Sequence, residues 1–173
     1  GFHFWAEILD KRGVDVDFVT VGSSYVSLLK KNGKQLKPPF NRWVPISKHW
    51  RKFTWMPPFH ALNFNNKILN CLSWPLFQFY PAMMPAELKS LRDVDLFIVE
   101  SGGGPLLVPG LAKNNPKAKF IYNFSDRKGV VDFHPYVVSQ TEKNLPYFAM
   151  IRLNAAIVAN DFPPDLPTVY VPQ

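Results

Sequence analysis

Two short stretches carry residue types suited to chemistry. Asp126 sits in Ser125-Asp126-Arg127-Lys128, directly after the apolar run AKFIYNF at residues 118–124. A carboxylate just past a strand end, beside two cations, is placed to accept a proton from a bound hydroxyl, and partial burial would tune its pKa. The same Ser-Asp pair could equally be a turn that caps whatever follows. Ser101-Gly102-Gly103-Gly104 follows a second apolar run, DLFIVE at residues 95–100. Its amides could cradle an anion at the positive end of a helix dipole. Equally, the glycines could serve only a tight turn and close packing.

Other chemistries find no support. A dinucleotide fingerprint would need a glycine where Leu107 stands, and no Gly-Lys-Ser/Thr follows the glycines to make a P-loop. Val99 occupies the first-glycine position of a G-x-S-x-G elbow around Ser101. His3, His49, His60 and His134 lack metal-ligand spacing, and Cys71 has no second cysteine beside it. No metal and no cofactor are expected, and Cys71, inside an apolar run, is expected to be a buried thiol.

The elements that must hold these residues follow from periodicity. Phe2, Trp5, Ile8 and Leu9 recur at helical spacing, and Gly13 stands where a helix should stop. Residues 14–21 (VDVDFVTV) then read as a strand. A helix followed by a strand is half of a βαβ unit, so the first strand is expected to be missing and the chain cut at its start. Prolines at 38, 39, 45, 57 and 58 leave residues 22–64 without an assignment. Residues 65–80 have helical spacing through Ile68, Leu69, Leu72, Leu76 and Phe79, with Pro75 expected to kink or split the helix, and residues 86–91 form one short helix. Residues 95–100 and 118–124 are strands, residues 135–150 a helix interrupted by Pro146, and residues 155–160 (AAIVAN) and 168–171 (TVYV) two further strands. Strands alternating with helices predict an α/β fold, a mostly parallel sheet with helices on both faces. Ligands of such sheets bind beyond the carboxyl ends of the strands, at residues 22–24, 101–104 and 125–128 here.

The chain has 173 residues and a net charge of +7, a size that predicts one domain over residues 1–173. Between Asp17 and Glu87 there is no acidic residue, while nine Lys and Arg and four of the five tryptophans fall there. Within that segment Lys48, Trp50, Arg51, Lys52 and Trp55 mark a basic, aromatic surface suited to an anionic partner. Lys and Arg are drawn to phosphates at about 1 kcal/mol each near an anionic bilayer, and Trp settles at headgroup depth. RNA or single-stranded DNA would use the same residue types for backbone contact and base stacking, so a non-enzymatic α/β module binding either is the alternative function. No RNP-type aromatic motif accompanies them. A third option is a phosphate-sugar binding or regulatory domain. The single cysteine, the absence of a long apolar run and the opening GFHFWAEILDKRG predict a cytoplasmic protein without a membrane span or leader.

DVDLFIVESG (residues 93–102), LAKNNPKAKFIYNFSD (residues 111–126) and AAIVAN resemble the xanthan-type β-glucuronosyltransferases. These are inverting GT-B glycosyltransferases of bacterial exopolysaccharide assembly. The resemblance centres on residues 93–160 and extends more weakly to the opening helix and the basic middle. It implies a Rossmann-like acceptor-binding half of a GT-B fold, truncated at both ends, with the C-terminal donor-binding domain absent and this fragment inactive alone. It also implies that Asp126 is the base that deprotonates the acceptor hydroxyl, and that Ser125, Arg127 and the loop of Ser101, Gly102, Gly103 and Gly104 border the acceptor cleft. The implied partners are a lipid-linked saccharide and the anionic inner-membrane surface, at which the protein would be peripheral; a nucleotide-sugar donor is expected only in the full-length enzyme. Two positions depart from the family pattern: Arg127 follows the Asp where a small residue is usual, and Asn123 replaces a basic residue.

Overall fold

The computed structural model describes residues 2–21, 24–25, 39–59, 66–124, 133–153 and 162–171. They belong to two compact units, residues 1–60 and 61–173.

In the first unit α1 (Phe2–Lys11) stops where the sequence says it should. Gly13 takes φ +75°, and the amides of Gly13 and Val14 reach the carbonyls of Asp10 and Leu9 at 2.9 and 3.0 Å. This is the left-handed closure that glycine permits without steric cost. β1 (Val16–Val21), β2 (Trp43–Pro45) and β3 (Trp50–Trp55) form a sheet in the order β1-β3-β2, with β1 parallel and β2 antiparallel to β3. The unassigned middle of the sequence therefore contains two strands. Pro45 closes the edge strand β2, where its missing N–H removes no ladder bond. β3 buries Phe53 and Trp55, two residues apart, and Met56 continues that core.

The second unit starts with α2 (Lys67–Gln78). Its N-cap Asn66 accepts from the amides of Ile68 and Leu69 at 2.9 and 3.2 Å. Pro75 does not split it: the helix runs on through the proline to Gln78. Cys71 is exposed rather than buried, because α2 turns its apolar side outward. After α3 (Ala86–Lys89) come β4 (Leu96–Glu100), α4 (Val108–Asn114), β5 (Lys119–Phe124), α5 (Pro135–Asn144), β6 (Met150–Leu153) and β7 (Thr168–Tyr170). The four strands make an all-parallel sheet in the order β4-β5-β6-β7, the α/β architecture that the alternation of elements predicts.

Two boundaries differ from the periodicity. The helix expected over residues 135–150 ends at Asn144; Leu145–Tyr147 is a tight turn around Pro146, and Met150 already opens β6. β6 was masked in the sequence by its length, four residues with an arginine inside. The strand expected at residues 155–160 lies outside the described residues.

The core of the second unit lies on one face of this sheet. Val99, Phe120, Tyr122, Phe124, Ile151 and Leu153 point into it, covered by Val108, Phe148 and Phe162. Phe162 meets Phe124 and Tyr122 edge-on, with centroids 5.2 and 6.2 Å apart. Asn115, the asparagine of the N-P-x-A-K stretch, explains that motif structurally. It is buried, its Nδ2 donates to the carbonyls of Leu91 and Leu111, and its Oδ1 accepts from the Val94 amide. It thus ties the end of α4 to the turn that launches β4.

Candidate functional site

The carboxyl ends of β4, β5 and β6 carry polar side chains at matching positions. Glu100 is the register partner of Asn123, and Asn123 of Arg152. Register partners share a face, so the three form a ladder across the sheet edge. Asn123 Nδ2 donates to Glu100 Oε1 at 2.9 Å, and Arg152 Nη1 donates to Asn123 Oδ1. Asn123 is buried, while Glu100 and Arg152 are half-buried. An amide in this position can serve both ions at once, because it offers a donor to the carboxylate and an acceptor to the guanidinium. Sequence reasoning missed this ladder. Its signal was available as one polar residue near the carboxyl end of each apolar strand, but only the register aligns them.

The glycine loop directly after β4 is packed rather than open. Gly102 takes φ +97°, and a Cβ there would meet Phe133 at 3.2 Å. A Cβ on Gly103 would sit 3.0 Å from the Tyr80 hydroxyl, and one on Gly104 only 2.9 Å from Val99 Cγ1. Gly102 is required by its positive φ and Gly104 by the closeness of Val99, whereas a side chain at Gly103 would need Tyr80 to give way slightly. Burial pushes the Tyr80 hydroxyl up to about 12, so it stays protonated beneath Gly103. Ser101 stands half-buried at the start of this loop.

His134 is fully buried at the start of α5. Its Nδ1 accepts from the Tyr136 amide at 3.1 Å, which leaves Nε2 to donate to the Asn70 carbonyl at 3.0 Å, with Ser73 Oγ also at 3.0 Å. Phe77 packs on its ring with centroids 4.2 Å apart. Desolvation lowers its pKa, so the imidazole is neutral and pins α2 to α5. Ser125, Asp126 and Arg127 lie outside the described residues; β5 delivers the chain to them at Phe124.

A shallow depression of about 480 Å³ opens instead at the amino ends of β5 and β6, beside Lys113, Pro116, Phe120 and Tyr147. That is the wrong end of a parallel sheet for a ligand. Among the described residues no group of three His, Cys, Asp or Glu could hold a metal ion, and no helix is long and apolar enough to cross a membrane.

In the first unit, the basic aromatic stretch is less uniform than its sequence. Lys48 is exposed, and Lys52 and Trp50 are half-buried. Trp55 is only 1% exposed and belongs to the core, which corrects its expected place on the surface. The cause is the alternation of β3, which points Phe53 and Trp55 to the buried side. Arg51 makes two bonds to the Asp17 carboxylate, at 2.5 and 2.7 Å, and lies over the Trp43 ring at 4.3 Å. Ser47 and His49 likewise find Asp10 and Asp15.

Against known proteins, residues 1–154 match the family described as the N-terminal domain of the glucuronosyltransferase GumK. The chain belongs to the GumK N-terminal domain family. A curated relative is the UDP-glucuronate:glycolipid 2-beta-glucuronosyltransferase of Xanthomonas campestris pv. campestris, 24% identical over 108 residues. The aligned stretch covers 62% of this chain and 27% of that protein.

Proposed function

We propose that this chain is the acceptor-binding part of an inverting GT-B glycosyltransferase of bacterial exopolysaccharide synthesis. It would hold a lipid-linked saccharide while a sugar, glucuronic acid by preference, is transferred from a nucleotide sugar bound by a separate domain. Membership of the GumK N-terminal domain family carries this reading. The relative's glycolipid acceptor and the polar edge of β4–β6 support it.

In the proposed reaction Asp126 accepts the proton of the acceptor hydroxyl as its oxygen bonds to the anomeric carbon. The bond from that carbon to the nucleotide diphosphate breaks on the opposite side, and the leaving group takes the electron pair. One base suffices, because a single displacement inverts the centre without a covalent intermediate. Asn123, held between Glu100 and Arg152, would fix the strand end from which the chain runs to Asp126. Ser125, Arg127 and the loop from Ser101 to Gly104 would border the cleft. Lys48, Lys52 and Trp50, with Arg51 shared by Asp17, would draw the protein to the anionic inner face of the membrane as a peripheral protein.

Asp126→Asn in a full-length transferase carrying this domain should lower turnover by about 100-fold or more while acceptor binding stays nearly constant. Retained turnover would remove Asp126 from this role. The 173-residue chain alone should not transfer sugar; robust turnover by it would refute the division of labour.

A further inference from the structure

His134 ties α2 to the start of α5. On the α5 side its Nδ1 accepts from the Tyr136 amide at 3.1 Å, as an N-cap side chain does. On the α2 side its Nε2 donates to the Asn70 carbonyl at 3.0 Å, with Ser73 Oγ at the same distance and Phe77 over the ring. The residue before it, Phe133, stands against the glycine loop, where a Cβ on Gly102 would lie 3.2 Å from its ring. Two consecutive residues therefore hold α2, the first turn of α5 and the loop at the carboxyl end of β4. The other contacts of α2 are few. Only Ser73 and Phe77 of its 12 residues are buried, and Trp74 meets Tyr136 edge-on at 5.2 Å. The sheet keeps its own core, a cluster to which neither α2 nor α5 contributes a residue.

This arrangement requires a neutral ring. A proton on Nδ1 would turn the acceptor into a donor aimed at the Tyr136 N–H, and would set a cation at the positive end of the α5 dipole. Among the described residues no carboxylate is bonded to the ring to offset that charge. α2 meets it with the Asn70 carbonyl, the Ser73 hydroxyl, Trp74 and Phe77; its Lys67 is of like charge and its Cys71 is exposed. α5 adds Tyr136 beside Trp74 and carries Glu142 and Lys143 only near its far end. The turn at Gly104–Leu107, packed along α5, has no ionisable side chain.

We propose that His134 is an acid-operated latch: protonation of its ring frees α2, the first turn of α5 and the glycine loop from one another while the parallel sheet stays folded. The direction follows from linkage. A buried ring without a counter-ion takes up a proton less readily when closed than when open, so opening gains as pH falls. Local opening precedes global unfolding because α2 buries little and the core of the sheet lies elsewhere. The device goes beyond the transferase reading and acts whatever ligand the edge takes.

Amide hydrogen exchange of the chain, read by mass spectrometry across the ordinary histidine range and corrected for the intrinsic effect of pH on exchange, tests the latch. Peptides from α2, from the first turn of α5 and from the Ser101–Gly104 loop should lose protection together as pH falls, while those from β5 keep theirs. His134→Gln offers a donor and an acceptor that do not titrate, so its α2 protection should no longer depend on pH. Three results overturn the proposal: α2 and β5 losing protection in step, α2 or the loop keeping its protection throughout, or an unchanged acid response in His134→Gln. Should that variant fail to fold, the ring nitrogens of His134 in the unaltered chain give a second reading by NMR. They should take up their proton in step with the loss of α2 protection, and a titration separate from that loss overturns the latch.

Discussion

Both units set an arginine against a carboxylate across parallel strands, in opposite surroundings. In the first, Arg51 and Asp17 are direct register partners, with side chains 48% and 31% exposed. In the second, Glu100 and Arg152 stand two strands apart and are joined through Asn123, which is 1% exposed. The exposed pair exchanges water for a partner at little net gain. The bridged trio has less water to fall back on, so each member depends on the others. The same chemistry is thus a surface detail in one unit and a structural commitment in the other, at the edge where a ligand would bind.

The sharpest way to break this comparison is Asn123→Leu. It removes the donor to Glu100 and the acceptor for Arg152 together, and should cost about 2–4 kcal/mol in urea unfolding of the second unit. A loss under about 0.5 kcal/mol would mean that water takes over the bridge and that the two edges are alike.

His134 extends the contrast to pH. In the first unit His49 pairs with Asp15 at the surface, whereas His134 is buried and neutral. Because its folded pKa lies below the ordinary 6.5, the unfolded chain binds a proton more readily. Its contribution is therefore intact above the unfolded value and is lost as pH falls below it. Lowering pH through the ordinary histidine range should destabilise the second unit, and His134→Gln should flatten that slope at a lower overall stability. An unchanged slope in the variant would assign the effect to other groups.

The smallest effect belongs to the exposed pair. Asp17→Asn should cost less than about 1 kcal/mol, and the difference should shrink in high salt as screening removes the attraction. A cost as large as that of Asn123→Leu would erase the distinction between the units.

Much of the fold was legible because hydrophobic period is local. α1, β1, β4 and β5 follow from their apolar runs, β7 from its β-branched and aromatic composition, and Gly13 marks the end of α1 because glycine takes a positive φ freely. β3 escaped notice because its period of two, Phe53 and Trp55 inward, is interrupted by Arg51-Lys52 and bounded by prolines. β6 escaped because four residues show too little of any period. At the candidate site, position relative to β4 and β5 brought the glycine loop into view, and the structure assigns those glycines to Phe133, Tyr80 and Val99.

By itself, the sequence determined which segments are helix or strand wherever their apolar spacing is unambiguous, and it determined the resemblance that places the chain in its family. Tertiary structure alone decided how those segments face. The acid-free run from Phe18 to Ala86 acquires carboxylates in space, because β1 pairs with β3 and sets Asp17 on Arg51. Ile68, Leu69, Leu72 and Leu76 of α2 turn outward, because Ser73 and the Asn70 carbonyl on its other side meet His134, 61 and 64 residues away. Glu100, Asn123 and Arg152 become one ladder only through strand register. Spacing fixes what a segment can do locally, but a side chain's partner is chosen by contacts distant in sequence, and these exist only once the sheets and helices have packed.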